Sequence, residues 1–426
     1  MPFRSIPHLL LLLLCTSARG AEWKFDFGHS AESPAGFTRV APQTEYDAKR
    51  GYGYPPGKPV EQGGIAIFAF DVPEGNYDVT MRFGDAQSAT STVIKAESRR
   101  LMTGKVETQP GEFVTRIFTV NVRRPEISTG GVTSLNHREL GPPAAPDWDD
   151  HLSFEFNGAH PGVASLEVKP AQNAITLFIA GDSTVTDQAR EPYAGWGQML
   201  PRFFNAGVAV SNQAESGLTL ASFEHQKRLE KVLSMMKPGD YLFIQFGHND
   251  QKDKHPGAGP FTTYKAALQK YVAATRGKGG IPVLVTSMER RRWDGNKIRP
   301  TLSDYAEAVR QVGAEERAAV IDLNAMSLKF YSALGPEGST KAFVFYPVHT
   351  YPGQEKPLAD NTHHSAYGAF ELARCVVEGI KTQVPELAKK LMSDVGSFDP
   401  SHPDTFSSLD IPPSPVSGPA EKPAGS

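Results

Sequence analysis

The sequence predicts two folded domains in series: an all-β sandwich, then an α/β domain wound on both faces of a parallel sheet. Three observations predict it. Residues 22–172 carry short runs in which apolar and polar residues alternate, punctuated by turn formers and without a helical period. Residues 173–394 switch to unbroken apolar runs, each followed by a stretch with helical spacing. At 426 residues the chain is also long for a single hydrophobic core.

The bulk composition is globular, with 39% hydrophobic and 21% charged residues, and 39 Gly and 34 Pro provide many turns. A net charge of −3 sets up no field for nucleic acid or an anionic membrane, so neither is an expected partner. The first residues read as an export signal. Arg4 supplies positive charge, Leu9 to Leu14 form an apolar core, and Ala18-Arg-Gly places small residues before a cut ahead of Ala21. The apolar run is too short to span a bilayer. Residues 1–20 are therefore expected to be removed, the mature chain to be secreted or periplasmic, and no membrane insertion to occur. Cys15 follows a leucine where a lipidated cysteine wants a small residue, which argues against a lipid anchor. Cleavage leaves Cys375 alone, without an internal disulfide, in an amphipathic pattern where it reads as a small core hydrophobe.

In the first domain, expected over 21–172, the alternating runs are Trp23-Lys-Phe-Asp-Phe, Ile65-Ala-Ile-Phe-Ala-Phe, Tyr77 to Phe83, Ser91 to Ala96, Thr115 to Val122, Leu152 to Phe156 and Ala164 to Val168. Pro73-Glu-Gly-Asn, Pro110-Gly and Asn157-Gly are the turn formers between them. Gly141-Pro-Pro-Ala-Ala-Pro reads as a surface loop, because strands follow it. The run from Phe70 to Val79 resembles the galactose-binding-like sandwich modules attached to carbohydrate-active enzymes. Tyr52-Gly-Tyr-Pro-Pro and Trp148-Asp-Asp are aromatic-plus-acid clusters that read either as sugar-stacking surfaces or as loop packing.

In the second domain, expected over 173–394, Ile175 to Ala180 is a strand buried on both faces, and the run stops at Gly-Asp-Ser-Thr. Gly195 to Phe204 reads as a helix, Val208 to Asn212 as a strand, and Leu218 to Met236 as a helix. Tyr241 to Phe246 is a strand, Phe261 to Arg276 a helix, Ile281 to Ser287 a strand, Tyr305 to Glu316 a helix, Ala319 to Leu323 a strand, and Tyr367 to Val384 a closing helix. In such a sheet the loops after the strands share one edge, where ligands bind. Four of these connections carry chemistry. Gly181-Asp-Ser-Thr offers Ser183 as a nucleophile. Asn212-Gln-Ala-Glu-Ser-Gly offers Gly217, whose missing Cβ lets backbone approach a ligand. Gly247-His-Asn-Asp offers Asn249, and Asp360-Asn-Thr-His-His offers a base with its acid on one turn. Each alone also reads as a cap or a turn. Together they hold what acyl transfer requires: Ser183, His363 to take its proton, Asp360 to orient the imidazole, and the Ser183 and Gly217 amides with the Asn249 side chain as oxyanion donors. Asp182 orders the turn that aims Ser183. The chain has no Gly-x-Ser-x-Gly elbow at this serine.

These blocks resemble the SGNH (GDSL) hydrolases, with the Ser, Gly, Asn and His matched by Ser183, Gly217, Asn249 and His363. Gly-Asp-Ser-Thr-Val, Phe-Gly-His-Asn-Asp and Asp-Asn-Thr-His look most like the rhamnogalacturonan acetylesterases. The resemblance implies a flavodoxin-like catalytic domain, removal of acetyl groups from the pectin backbone, an acetylated polysaccharide as partner, and neither metal nor cofactor. It covers about half of the chain. One departure is Gly217-Leu-Thr, where that subfamily often has Gly-Arg-Ser. Arg290-Arg-Arg-Trp-Asp is read either as a solvated basic loop or as the replacement that meets a uronate carboxylate. Asp182, His248, Arg290, Arg291 and His364 are the expected substrate contacts. The alternatives are an acetylesterase on another polysaccharide such as xylan, a lipid esterase or thioesterase of the same fold, and a non-catalytic carbohydrate-binding protein. No long apolar lid favours the lipid reading, and a binder has no need of Ser, Asp and His together. Residues 395–426, rich in Pro and Ser, are expected to form a disordered tail.

Overall fold

The computed structural model describes residues 20, 22–28, 33–57, 60–61, 64–141, 145–415 and 418–424. The expected export signal and Cys15 lie outside the described residues, as does the middle of the Gly141 loop.

Two sheets form the first domain. One runs Thr38–Arg39, Trp23–Asp26, Val163–Pro170, Gly75–Phe83, Val114–Val122; the other runs Tyr52–Gly53, Ala66–Asp71, His151–His160, Thr90–Ala96, Arg100–Leu101, with Val106–Thr108 also on Thr90–Ala96. Alternation decides which faces meet. In Ala66–Asp71, Phe68 and Phe70 are fully buried while Ile67 is 36% exposed. The phenylalanines pack as a set: Phe25 lies 4.9 Å from Phe68 and 5.0 Å from Phe70, centroid to centroid. Asn157-Gly is not a turn. His151–His160 continues through it, and its register shifts between Asn157 and His160. Gly158 has φ +135°, and a Cβ there would lie 2.0 Å from the Ser91 carbonyl, so a glycine bulge carries the strand past its neighbour.

The second domain has the strand order Val208–Asn212, Ile175–Gly181, Tyr241–Gln245, Ile281–Val285, Ala319–Ile321, all parallel. This is the flavodoxin-like order, with the first strand second in the sheet. Leu177 and Ile179 face one apolar layer, Phe178 and Ala180 the other. Both faces are covered, which is why the run is apolar without alternation. The expected helix from Leu218 is two, Leu220–His225 and Arg228–Met235, broken at Lys227 with φ 59°. A helix at Leu323–Gly338 and a hairpin of Phe343–Tyr346 with Leu358–His364 complete the domain.

The two domains share packing. Val93 and Leu101 of the sandwich belong to the same apolar cluster as Ile179 and Trp196. Trp148 is buried, donating from Nε1 to Glu139 Oε1 at 2.9 Å, with the Arg123 guanidinium 4.6 Å over its ring. Trp148 is thus loop packing and not a sugar-stacking surface. Tyr54 is buried and Tyr52 lies 5.2 Å from Phe25, so that cluster packs as well.

The tail expected to be disordered is tied to the body of the protein at several described residues, while most of the others stay exposed or half-buried. Lys95 Nζ donates to the Pro412 carbonyl and to Ser414 Oγ, both at 2.7 Å. Asn157 Nδ2 donates to the Pro413 carbonyl at 2.9 Å, and the Ser414 amide donates to Glu191 Oε1 at 2.9 Å. Composition says correctly that this stretch has no core of its own. Its backbone is held by buried polar side chains far upstream, which composition does not register.

Candidate active site

Ser183 follows the strand Ile175–Gly181 and is 2% exposed. Its loop is fixed from several sides. Asp182 Oδ1 accepts from the Thr184 amide at 3.0 Å and from Thr184 Oγ1 at 2.8 Å. Gln188 Nε2 donates to the Ser183 carbonyl at 2.7 Å. Gln245 Nε2 donates to Thr184 Oγ1 at 3.0 Å, and Gln245 Oε1 accepts from Trp196 Nε1 at 2.7 Å. A buried polar chain of this kind locks the turn because each group left unbonded would pay desolvation.

Strand order then decides what flanks Ser183. Val208–Asn212 and Tyr241–Gln245 lie on either side of its strand, so their trailing loops bring Gly217 and Asn249 to the same edge. Gly217 adopts φ +83°, a left-handed conformation that glycine takes without strain. Asn249 Nδ2 donates to the Leu218 carbonyl at 3.0 Å, and the Leu220 amide donates to Asp250 Oδ1 at 3.0 Å. The two loops are thereby tied together.

The base arrives on the hairpin. Asp360 and His363 lie in the strand Leu358–His364, not on a free turn, and its register is irregular where the two residues sit. Asp360 Oδ1 accepts the amides of Thr362 at 2.8 Å and His363 at 3.1 Å, and this local turn produces the irregularity. Asp360 Oδ2 is 2.8 Å from His363 Nδ1, and His363 Nε2 is 2.8 Å from Ser183 Oγ. The tautomer follows: Nδ1–H donates to the carboxylate, leaving Nε2 to accept the serine proton. Burial alone would raise the Asp360 carboxyl, but the hydrogen bond and charge of His363, with the two amides, outweigh it and hold it at about 2. The Tyr193 ring meets the imidazole edge to face at 5.9 Å.

The expected substrate contacts fare differently. Asp182 is fully buried and spent on its own turn. His364 is fully buried, its Nε2 2.8 Å from the Tyr331 hydroxyl. Arg291 donates to Ser339 Oγ at 3.0 Å, Asn361 Oδ1 at 3.2 Å and the Pro336 carbonyl at 2.6 Å, so it anchors the hairpin. These three serve the framework. Arg290, partly buried, donates to the His248 carbonyl at 3.0 Å. His248 is 1% exposed, with Nδ1 3.5 Å from Asp182 Oδ2, and burial pushes its imidazole below the usual range.

Sequence reasoning missed Gln188, Gln245 and Tyr193. Gln245 had a signal: it is the polar residue in an otherwise apolar strand, and a buried amide needs partners. Gln188 and Tyr193 lie in an irregular segment where periodicity says nothing. Among the described residues, no group of three His, Cys, Asp or Glu is arranged to hold a metal.

The model of the GDSL-like lipase/acylhydrolase family matches residues 179–351. The rhamnogalacturonan acetylesterase RhgT of Bacillus subtilis (strain 168) is 41% identical over 225 residues, 52% of this chain and 96% of that protein. The probable rhamnogalacturonan acetylesterase YesY of the same organism is 35% identical over 208 residues, 48% of this chain and 92% of its own length. Its uncharacterized esterase YxiM is 25% identical over 401 residues, 88% of this chain and 96% of that one, a match that extends through the sandwich. A likeness that runs almost end to end through RhgT leaves the family in no doubt: the chain belongs to the GDSL-like lipase/acylhydrolases, the SGNH hydrolases, and is a carboxylic ester hydrolase.

Proposed function

We propose that this protein removes O-acetyl groups from a pectic, uronate-containing polysaccharide through an acetyl-enzyme. The observation that carries the reading is the relay from Asp360 through His363 to Ser183 Oγ, at 2.8 Å for each contact. Ser183 Oγ attacks the acetyl carbonyl carbon while His363 Nε2 takes its proton. The amides of Ser183 and Gly217 and the Asn249 side chain receive the oxyanion. His363 returns the proton to the sugar oxygen, which leaves as the alcohol. Water then attacks the acetyl-serine by the same route and acetate is released. Side chains and backbone amides of the chain supply the nucleophile, the base, its acid and the oxyanion donors of both steps.

The names of RhgT and YesY, and of a rhamnogalacturonan acetylesterase of Emericella nidulans that is 25% identical over 244 residues, support the pectic substrate. The test is acetate release from acetylated rhamnogalacturonan, acetylated xylan and a lipid ester, with Ser183→Ala as control. Rhamnogalacturonan is expected to be the best substrate and the variant to be inactive. Clear preference for xylan or lipid removes the pectic reading; equal, negligible release by both proteins from all three removes the acetylesterase reading. The proposal also places the mature enzyme outside the cytoplasm, on the strength of Arg4 and the Leu9 to Leu14 run. Protein recovered outside the cytoplasm should begin at Ala21.

A further inference from the structure

Beside Ser183 the sandwich contributes a wall. A cavity of about 470 Å³ lies between its His137–Gly141 segment and the catalytic-domain loops bearing Gln188, Arg190 and Ser216. Two guanidinium groups, Arg138 and Arg190, line it, together with Glu215. Burial, and then the charge of Glu139, raise the Glu215 carboxyl above the usual carboxylate range. Glu139 is already paired with Arg228. Asp187, which also lines the cavity, is paired with Arg100, so Arg138 and Arg190 are the cationic groups this wall offers beside the nucleophile loop.

A segment of the chain itself already lies against it, with Glu421 in its lining. Residues 418–424 of this chain cross the mouth of the site. Gly418 lies against Arg190: a Cβ there would be 3.2 Å from its Nη1. Glu421 Oε1 is 3.5 Å from Arg138 Nη2, which also donates to the Lys422 carbonyl at 3.0 Å. Lys422 Nζ is 3.9 Å from Asp360 Oδ2, and a Cβ on Gly217 would meet the Ala424 Cβ at 3.3 Å. An extended chain with a carboxylate on Arg138 thus reaches the carboxylate of the relay on one side and the oxyanion glycine on the other. The Arg138 and Glu421 side chains are 31% and 59% exposed, and an ion pair that open to water is weak enough to exchange for another carboxylate.

We propose that Arg138, supplied by the sandwich, is a carboxylate subsite for a uronate of the polysaccharide beside the acetylated sugar, and that Glu421 fills this subsite as an internal competitor. The proposal rests on the pectic reading above. It makes the two partners of one ion pair act in opposite directions. With the full chain, KM and kcat are measured on acetylated rhamnogalacturonan oligosaccharides, acetylated xylo-oligosaccharides and 4-nitrophenyl acetate. Arg138→Gln should raise KM for the uronate substrate about three- to fivefold, the size expected of an ion pair open to water, and leave the two uncharged substrates within about 1.5-fold. Glu421→Gln should lower KM for the uronate substrate severalfold and leave kcat unchanged.

An ion pair with only a structural role moves both variants in the same direction on every substrate, and that result overturns the subsite. So does a rise in KM that is equal for charged and uncharged substrates. If Arg138→Gln lowers the melting temperature, Glu421→Gln decides alone, and an unchanged or raised KM in it overturns the proposal. If the wild type cleaves 4-nitrophenyl acetate but not the uronate oligosaccharides, the pectic reading has failed and takes the subsite with it. If the wild type cleaves them and the variants behave alike, the subsite alone has failed.

Discussion

Arg100 of the sandwich donates from Nε to Asp187 Oδ2 at 2.6 Å, across the boundary between the two domains. Asp187 lies just beyond Ser183 in the loop that carries the nucleophile. Its other oxygen accepts from Asn212 Nδ2 at 2.8 Å, and the same nitrogen donates to the Val185 carbonyl at 2.9 Å. Arg100 is 1% exposed and is also bonded to Asp147 Oδ1 at 2.9 Å and to the Asn121 carbonyl at 2.7 Å. The sandwich is therefore part of the scaffold that holds Ser183 in place.

Replacing Arg100 tests this directly. Arg100→Met leaves Asp187 and Asp147 buried without their main counter-charge, a loss that typically costs about 3–5 kcal/mol. Denaturant unfolding should show that loss, and kcat on 4-nitrophenyl acetate should fall with it, because the nucleophile loop loses its outer support. The double variant Arg100→Met with Asp187→Asn should recover part of the stability, since one of the two stranded charges is gone. Additive effects of the two changes would show that the pair does not couple.

Asp360→Asn should lower kcat by roughly 10⁴-fold near pH 7 with little change in KM, because the amide holds the imidazole in the wrong tautomer. It also has a signature in stability. The Asp360 carboxyl is held at about 2, below its ordinary 3.8. A depressed carboxylate stabilises the fold above the unfolded value, and that contribution is lost as pH falls from about 4 toward 2. The wild type should lose stability over that interval faster than Asp360→Asn does. Parallel melting curves below pH 4 would remove the assigned ion pair.

Much of this site was legible because its residues are tied to strand ends. Ile175–Gly181, Val208–Asn212 and Tyr241–Gln245 announce themselves by unbroken apolar runs, and the parallel topology obliges their trailing loops to converge. The hairpin was not legible. Asp360 and His363 sit in a strand whose local turn is made by Asp360's own side chain, so the period-2 pattern is broken where it would have been read. Three of the expected substrate contacts have framework partners instead, for a related reason. Asp182, His364 and Arg291 are polar residues at an apparent ligand edge, but burial has engaged each of them in holding the loops. The anchoring of the tail was not legible because its partners, Lys95, Asn157 and Glu191, lie in other parts of the chain, and no local window contains both halves of the contact.

The oxyanion assignment makes its own prediction. If Asn249 is the oxyanion donor proposed above, Asn249→Ala should lower kcat about 10²–10³-fold, with KM changed far less. Asn249 also holds the Leu218 carbonyl at 3.0 Å, so the loop of Gly217 loosens with it. Gly217→Ala should act at the same site by another route: φ +83° strains any residue with a Cβ. Both variants should bind a tetrahedral phosphonate at Ser183 more weakly than the wild type. Undiminished phosphonate reactivity with both would take the two residues out of the oxyanion site.

His364 gives a pH dependence that can be isolated. It is fully buried, packs its ring 4.6 Å from Phe343, and meets the Tyr331 hydroxyl through Nε2. Burial, then the charges of His363 and His248, hold its imidazole at about 3, far below the usual 6.5. The unfolded chain therefore takes up the proton first. Stability contributed by the neutral ring is complete above pH 6.5 and is lost progressively as pH falls toward 3. His364→Gln keeps a side-chain partner for Tyr331 but does not titrate, so its melting temperature should fall less between pH 6.5 and 4.5. Asp250 and Glu371, both lifted to about 7 by burial, act with the opposite sign over the same interval. Because both proteins retain them, they cancel in the difference between the two curves. Asp360 enters only below about pH 4 and leaves the interval clear. A difference that stays constant from pH 6.5 to 4.5 would mean that His364 is not the neutral buried group described above.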